Sequence, residues 1–175
     1  MHGDTGTIAD YELLLNAAAK IERQYGLTSS SSDYDRAFAI YNWITTNIDY
    51  DNYMKAQSGN DLVHMFDGIP YPTEINYALK YQKGVCFEYA LLFQALCYVF
   101  DLDCYYVSGK ASNAGHAWDI VKIDNQWYQV DATWDEGKAP DSYKYFLVSD
   151  DVILSSRTVG SSDFYSYPAC PNSYR

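Results

Sequence analysis

Residues 84–100 read GVCFEYALLFQALCYVF, and the fold can be worked out from this stretch. After the glycine and valine, apolar side chains recur every three or four positions, the spacing that places them on one face of an α-helix. That face carries Ala90, Phe93, Leu96, Cys97 and Phe100. A helix this apolar must be covered by other elements, so we predict a helix from Cys86 to Phe100 at the centre of the hydrophobic core.

The residues before this central helix also carry a helical pattern. Two longer helices are predicted, and Ser32 has the residue type of an N-cap for the second one. A third, shorter helix would be capped by Thr73 and would end before Gly84. Between them, the turn residues of segment 49–73 indicate a long irregular connection, and such connections are often functional. The predicted helices cover residues 9–24, 33–47 and 73–79.

The pattern after residue 101 changes to that of β-strands, rich in aromatic and β-branched residues. The predicted strands cover residues 104–108, 117–123, 127–133 and 143–148. Helices first and antiparallel strands afterwards is the order of the α+β class. The length of 175 residues favours one domain over residues 1–175, with N-terminal helices and the central helix packed on an antiparallel sheet.

Charge and hydropathy exclude some classes of partner. The chain carries 12 basic and 23 acidic side chains, a formal net charge of −11, which disfavours nucleic acid and membrane surfaces. No apolar run approaches the ~18 residues of a spanning helix, and the first residues do not resemble a signal peptide, so no membrane insertion is expected. The acidic balance and the 19 tyrosines nevertheless suit an extracellular or cell-envelope protein, with a cytoplasmic location as the alternative.

The four cysteines are Cys86, Cys97, Cys104 and Cys170, too few and too irregular for a disulfide framework. None belongs to a C-x-x-C pair typical of zinc or thioredoxin-like sites, so no metal and no other cofactor is expected. Cys97 fits best as a small apolar side chain of the core. If Cys86 is a free nucleophile, an odd number of thiols remains, and at least one of them is free or pairs between molecules.

Cys86 would be the first residue of the central helix. The partial positive charge and free N–H groups of a first helical turn stabilise a thiolate and lower the pKa of a thiol. The same N–H groups can bind the oxyanion that forms when a thiolate attacks a carbonyl. A cysteine at a helix start is still more often structural than catalytic, so a nucleophilic role for Cys86 requires a base beside it.

A predicted hairpin supplies that base. A two-residue turn at Asp124 and Asn125 would join its two strands. His116 then lies opposite Thr133, and Asp131 is its diagonal neighbour on the same face of the sheet. A carboxylate there can orient an imidazole that takes the thiol proton and later gives it to a leaving amine. The inference depends on register, because a three-residue turn would move Asp131 to the opposite face.

Plain structural interpretations of the same residues exist. His116 could be a core histidine with satisfied hydrogen bonds, and Asp131 could cap a turn. The other histidines, His2 near the N-terminus and His64 in the irregular segment, have no strand to hold them as a base. A cysteine, a histidine and an aspartate in compatible positions together favour a catalytic site.

Asp119 and Asp135 are rival carboxylates for the orienting role. Alternation along the strand turns Asp119 to the face opposite His116. Asp135 lies beyond the end of the predicted strand. Asp131 is therefore the preferred partner of the imidazole.

Three motifs occur in the order cysteine, histidine, aspartate, and together they resemble the bacterial transglutaminase-like family of the papain-like and transglutaminase superfamily. Similar residues upstream and downstream extend the resemblance over about residues 36–150. The motifs are GVCFEYA at residues 84–90, GHAW at residues 115–118 and QWYQVDATWD at residues 126–135.

The resemblance implies a papain-like α+β fold and a catalytic triad of Cys86, His116 and Asp131. It also implies that an aromatic donor upstream of the cysteine assists the oxyanion, and Tyr50 is the candidate. Trp118, two residues after the histidine, is expected to bind substrate. The resemblance implies no metal requirement.

Two residues depart from the family pattern. Glu88 stands where a glycine is frequent, and Asp119 stands where an asparagine often follows the His-Ala-Trp run. Both lie close to the expected catalytic residues in sequence. They therefore bear on the choice of substrate and leave the triad itself intact.

The expected activity is acyl transfer through a thioester on Cys86, with a peptide or protein as substrate and cell-wall peptide among the candidates. Transfer to water would make the protein a peptidase or amidase on peptide or glutamine-type amides, which is the favoured interpretation. A true transglutaminase, which transfers to an amine, is the alternative. A binding module that keeps the fold without turnover and a disulfide-stapled adhesion domain are further alternatives, and the intact set of three residue types argues for the enzyme.

Overall fold

Helices precede the main sheet in the computed structural model of the chain, which describes residues 11–58, 71–160 and 167–174. The helices are α1 (Glu12–Tyr25), α2 (Asp33–Asn47), α3 (Asn52–Ser58), α4 (Tyr71–Tyr81), α5 (Cys86–Val99) and α6 (Asp150–Leu154). The strands are β1 (Asp49–Tyr50), β2 (Lys83–Gly84), β3 (Cys104–Ala111), β4 (Ala114–Ile123), β5 (Gln126–Val130) and β6 (Arg157–Val159). This mixed order confirms the α+β class. No helix within the described ranges is both long and apolar enough to span a membrane.

Local capping marks the end of the first helix and the start of the second. Gly26 adopts a left-handed conformation with φ of 66°, and its N–H donates to the carbonyl of Glu22 at the end of α1. Ser32 caps α2, because its hydroxyl accepts the N–H of Asp35 at 3.1 Å while the Asp35 carboxylate accepts the N–H of Ser32. These local bonds explain why the helix positions could be predicted from the sequence.

Helix α5 lies in the core, as its apolar composition predicts. It packs against α1, α2 and α4 and also against strands β3 and β4. Leu92, Leu96 and Cys97 have no exposed surface, which confirms Cys97 as a core side chain. The helix that carries the candidate nucleophile is thus held on several sides, so its first turn has a fixed position relative to the sheet.

The main sheet is antiparallel, with the strand order β5-β4-β3-β6. Strands β4 and β5 are joined by Asp124 and Asn125, whose φ values of 49° and 65° are those of a type I′ turn. Ile123 pairs with Gln126 directly beside the turn. The two-residue turn and the strand register predicted from the sequence are therefore confirmed.

A second, two-stranded sheet positions the chain that leads into α5. Strands β1 and β2 run parallel, with Tyr50 paired to Gly84. The N–H of Asp51 donates to the carbonyl of Gly84 at 2.8 Å. This pairing brings Tyr50 beside the residues that immediately precede Cys86.

The segment before α5 differs from its prediction. Part of the expected irregular region is occupied by β1 and α3, while residues 59–70 lie outside the described ranges. Helix α4 begins at Tyr71, so the predicted cap at Thr73 is wrong. Pro72 accounts for the earlier start, because proline is favoured in the first turn of a helix. Gln82, with φ of 52°, follows the last residue of α4.

Strand β5 is shorter than predicted, because the expected strand over residues 127–133 stops at Val130. Asp131 instead precedes a 3₁₀ helix, Ala132–Asp135, and its carboxylate accepts the N–H of Trp134 at 3.3 Å. A side chain that bonds the backbone locally competes with the strand ladder. The cap interpretation of Asp131 is therefore correct, alongside its position next to His116.

The strand predicted over residues 143–148 does not form. Within the described residues, a single bridge between Gln129 and Val148 lies in this segment. The carboxylate of Asp135 accepts the N–H groups of Lys144 and Tyr145 at 2.9 and 2.8 Å. Leu147 has a φ of 52°. A strand needs extended φ values and N–H groups that are free to bond a neighbouring strand. In this segment two N–H groups bond the carboxylate of Asp135 instead, so no strand forms.

Candidate active site

Cys86 is the first residue of α5, as predicted, and its thiol is free. Val85 before it is extended, with φ of −102° and ψ of −175°, so the chain enters the helix abruptly. The first N–H groups of any α-helix have no acceptor within the helix. The backbone at Cys86 therefore offers donors to a developing oxyanion.

His116 connects the cysteine to a carboxylate. It lies on β4, and its Nε2 is 2.6 Å from Oδ2 of Asp131, with both side chains buried. The thiol of Cys86 is also close enough to the imidazole to raise the pKa of His116. Because Nε2 is occupied by Asp131, the other ring nitrogen, Nδ1, is left for the thiol. The structure thus brings the three predicted residues together in the order of a thiol, an imidazole and a carboxylate.

The electrostatics of His116 favour its charged form. Burial acts against the imidazolium, but the hydrogen bonds and charges of Asp131 and Cys86 outweigh burial and raise the pKa of His116 to about 9. An imidazolium beside a thiol stabilises the thiolate. The surroundings of His116 therefore favour an imidazolium beside the thiol of Cys86 at neutral pH.

Asp131 is held by its backbone as well as by its side chain. Its N–H donates to the carbonyl of Tyr145 at 2.9 Å, and its carbonyl oxygen lies 2.9 Å from the hydroxyl of Tyr41. These contacts come from the segment between β5 and β6 and from α2. The carboxylate therefore faces His116 from a fixed position just beyond the end of β5.

Arg157 is a site residue that sequence reasoning missed. Its side chain has no exposed surface, and its Nε and Nη2 lie 2.9 and 2.6 Å from Oδ2 of Asp131. The guanidinium carbon lies 4.2 Å from the ring centres of both Trp134 and Tyr145. The only sequence signal was an isolated arginine in the serine-rich stretch SSRTVGSS, at residues 155–162.

Tyr50 lies close to the candidate nucleophile. It is half-buried and packs against Val85 and Cys86. Burial, followed by the charge of Cys86, raises the pKa of Tyr50 to about 12, so its hydroxyl remains a hydrogen-bond donor at neutral pH. This position is compatible with the oxyanion role, which stays a prediction.

Trp118 does not have the position expected of a substrate-binding residue. Its side chain is 1% exposed, and its indole N–H donates to Oε1 of Gln129 at 2.8 Å. The ring stacks on His116 with 5.9 Å between ring centres. Direct substrate binding by Trp118 therefore does not fit the structure, because the indole, on the same face of β4 as His116, is packed in a core cluster with Val107 and Ile153.

A cleft beside His116 is open to solvent. In contrast to Trp118, Trp134 lies in its wall, with a partly exposed side chain. The cleft has a volume of about 430 Å³. Its walls are formed by Tyr50, Asn52, Lys55, His116, Thr133, Trp134 and Glu136. The tryptophan in the wall of this cleft is thus Trp134. Its ring also contacts His116, with 5.9 Å between ring centres.

The rival carboxylates have other surroundings. Asp119 is buried, burial raises its pKa well above the usual range, and its Oδ1 has no hydrogen-bond partner among the described residues. Asp135 accepts hydrogen bonds from Tyr41 and from the backbone of Lys144. Asp131 is the carboxylate at hydrogen-bonding distance from His116. The other histidines, His2 and His64, lie outside the described residues.

Glu88, one of the two departures from the family pattern, supports the start of α5. It is 1% exposed, and its Oε2 accepts the N–H of Val85 at 2.8 Å. Burial raises the pKa of Glu88 to about 7. A Cβ added at Gly84 would lie 2.7 Å from Cβ of Glu88. Glu88 therefore contacts the backbone of Gly84 and Val85, the two residues that precede Cys86.

The donor groups near the site also bear on metal binding. Among the residues that the structure describes, no group of three or more His, Cys, Asp or Glu side chains is placed to hold a metal ion. The described donors at the site are instead a thiol, an imidazole and a carboxylate in series. That arrangement is the one that nucleophilic catalysis by a thiol uses.

Comparisons with known proteins place these features in context. A family model described as "Transglutaminase-like superfamily" matches residues 22–132. Kyphoscoliosis peptidase of Mus musculus is 33% identical over 123 residues, which is 63% of this chain and 17% of that protein. Kyphoscoliosis peptidase of Homo sapiens is 29% identical over 157 residues, which is 82% of this chain and 21% of that protein. The chain thus spans about a fifth of the length of the curated relatives it matches.

The fold has a solved counterpart. The structure described as "Crystal structure of a TGase" superposes with a TM-score of 0.58 at 17% identity, over 95% of this chain and 38% of that chain. This likeness confirms the expected fold. The two relatives compared are mammalian, and the bacterial source implied by the motifs stays a prediction.

Proposed function

The chain belongs to the transglutaminase-like superfamily, and on that premise we propose that it is a cysteine-dependent acyl-transfer enzyme with the triad Cys86, His116 and Asp131. One observation carries the proposal: the imidazole of His116 lies 2.6 Å from the carboxylate of Asp131 and also interacts with the thiol at the start of α5, which raises its pKa. A thiol, a base and an orienting group in this order are what nucleophilic catalysis requires.

The proposed reaction begins with attack of the Cys86 thiolate on the carbonyl carbon of an amide. The carbonyl oxygen gains negative charge, which the N–H groups at the start of α5 stabilise and to which Tyr50 donates. The imidazolium of His116 then gives its proton to the nitrogen of the leaving amine. The C–N bond breaks, and a thioester remains on Cys86.

The thioester is released by a second nucleophile. His116, now neutral, takes a proton from the incoming group, which attacks the thioester carbonyl and expels the Cys86 thiolate. With water the product is a carboxylic acid, and the protein is a peptidase or amidase. We favour water and a peptide or protein substrate, because two relatives are named peptidases.

The test is to trap the acyl-enzyme from a peptide library and to identify by mass spectrometry which residue is modified. The proposal expects a thioester adduct on Cys86, no adduct in Cys86→Ala, and an unchanged adduct in the matched variant Cys97→Ala. Adding an amine to the aqueous buffer then separates the two activities by the released product, which is an amide for cross-linking and a carboxylic acid for hydrolysis. An equal adduct in Cys86→Ala would place the nucleophile elsewhere, and a binding module would give no adduct in any form.

A further inference from the structure

Arg157 lies outside the triad but is bonded to it. It is the first residue of β6, the edge strand that pairs with β3 at Ala111. Its Nε and Nη2 both reach Oδ2 of Asp131, the same oxygen that faces Nε2 of His116 at 2.6 Å. Three donors therefore converge on one carboxylate oxygen inside the protein.

The guanidinium is fixed in orientation by its surroundings. It lies between the rings of Trp134 and Tyr145, at 4.2 Å from each ring centre, and its Nη1 is 2.8 Å from the hydroxyl of Ser156. Arginine stacks on aromatic faces and presents a rigid fork of donors to a carboxylate, a combination that lysine cannot reproduce. Both nitrogens contact Oδ2 of Asp131, so the guanidinium holds the carboxylate oxygen that faces His116.

We propose that Arg157 is a positioning residue of the triad, which holds Oδ2 of Asp131 against His116 and balances the buried carboxylate charge. The inference rests on the proposed function and deepens it. With Arg157 in place, the buried set of Asp131, Arg157, imidazolium and thiolate carries two positive and two negative charges. Without it, the carboxylate can rotate away from the imidazole, and the thiolate–imidazolium pair of Cys86 loses its support.

The same residue links the triad to the cleft. Trp134 stacks on Arg157 and contacts His116, and it lines the cleft beside the triad. A substrate that presses on this indole therefore contacts the ring that orients the guanidinium. Arg157 acts through Asp131 and has no reacting atom of its own.

The test uses the alkylation rate of Cys86 by iodoacetamide, measured from about pH 5 to 9, because this uncharged reagent reports the thiolate without a substrate. In Arg157→Lys, which keeps the buried charge but loses the fork, we expect a rate at about pH 6 that is severalfold below wild type. In Arg157→Gln we expect a loss of about tenfold or more. In both variants the acid limb of the profile moves to higher pH.

Arg36 provides the matched control, because its guanidinium donates to the carbonyls of Phe100 and Ser29 and does not belong to the triad. Arg36→Lys should leave the profile of Cys86 unchanged. If Arg157→Gln does not fold, Arg157→Lys and Tyr145→Leu, which removes one stacking ring and leaves both charges, decide the question.

The outcomes are distinguishable. A merely structural role would lower the melting temperature of the Arg157 variants and leave the alkylation profile where it is in wild type, and that result would overturn the inference. If Cys86 of the wild type were alkylated no faster than the other thiols, the proposed function itself would fail, and the inference would fail with it.

Discussion

A single oxygen of Asp131 is contacted by both His116 and Arg157. At the scale of single residues, the chemistry depends on which nitrogen of the His116 ring carries a proton. Because Asp131 accepts from Nε2, the neutral imidazole keeps Nδ1 free of a proton and able to accept one from Cys86. The carboxylate thus selects the tautomer that a base at this position needs.

Asp131→Asn tests that selection. The amide can present its N–H₂ to Nε2 and so favour the wrong tautomer, and we expect formation of the acyl-enzyme to slow by about 10³-fold or more. Single-turnover kinetics with a trapped peptide measure this rate. The matched control is Asp119→Asn, which removes a carboxyl whose pKa burial raises well above its usual range, so the rate should stay near wild type. Equal losses in both variants would contradict the assignment of Asp131.

The pKa of His116 should depend on Cys86. Burial lowers it, while the contacts with Asp131 and Cys86 raise it to about 9 in the wild type. In Cys86→Ala one of the groups that raises it is gone, so we expect the titration midpoint of His116 to fall, while Cys97→Ala leaves it unchanged. NMR of labelled histidine measures both. The basic limb of acyl-enzyme formation should lie near the wild-type midpoint, because the leaving amine needs the imidazolium proton.

At the scale of elements, the hairpin explains how the site could be predicted. Asp124 and Asn125 adopt the left-handed conformation that asparagine and aspartate tolerate, so a local signal sets the register that brings Asp131, just beyond the end of β5, beside His116. Helix boundaries at Ser32 and Gly26 are likewise local. The turn and the helix boundaries could therefore be predicted from the sequence, because residues close to them along the chain determine them.

The features that could not be predicted depend on residues distant in sequence. Arg157 belongs to a three-residue strand with no periodic pattern, and its partner Asp131 precedes it by 26 positions. The loss of the strand predicted at residues 143–148 follows from the carboxylate of Asp135. The burial of Trp118, which was expected to bind substrate, has a similar cause, because a motif gives residue order but not how deeply a side chain is buried.

Glu88 offers a prediction about the start of α5. Burial raises the pKa of Glu88 from 4.5 to about 7. A carboxyl with a raised folded pKa stabilises the fold below its unfolded pKa, and this contribution is lost as the pH rises through about 7. Glu88→Gln keeps a neutral acceptor for the N–H of Val85, so above pH 7 its free energy of unfolding should equal or exceed that of wild type.

Urea unfolding at about pH 5 and about pH 8 measures this difference. Glu88→Ala is the companion variant, because it removes the acceptor and leaves the N–H of Val85 buried, and it should lose about 1–3 kcal/mol at both pH values. A Glu88→Gln variant that is less stable than wild type only at the higher pH would contradict the assigned protonation.

At the scale of the whole molecule, Asp135 joins parts of the chain that are far apart. Its carboxylate lies 2.8 Å from the hydroxyl of Tyr41 on α2 and accepts the N–H groups of Lys144 and Tyr145. Lys138 contributes an ion pair at 2.9 Å. This buried carboxylate therefore connects the segment between β5 and β6 to α2, and Tyr145, which stacks on Arg157, belongs to that segment.

Asp135→Asn should destabilise the whole fold. The amide can replace only part of the acceptor capacity, so N–H groups lose their partner, and we expect a loss of about 2–4 kcal/mol in the free energy of unfolding. Asp141→Asn, at an exposed position, is the matched control and should change it by less than about 0.5 kcal/mol. Thermal unfolding followed by circular dichroism compares the two. Similar melting temperatures for both variants would show that Asp135 does not have this role.

The central claim is that Cys86 is an activated nucleophile, and selective alkylation tests it most directly. The native protein is treated with iodoacetamide at about pH 6, and the labelling rate of each cysteine is followed by peptide mass spectrometry. The account predicts that Cys86 is labelled far faster than Cys97, Cys104 and Cys170, whose pKa values burial raises. Slow and equal labelling of all four thiols would contradict it.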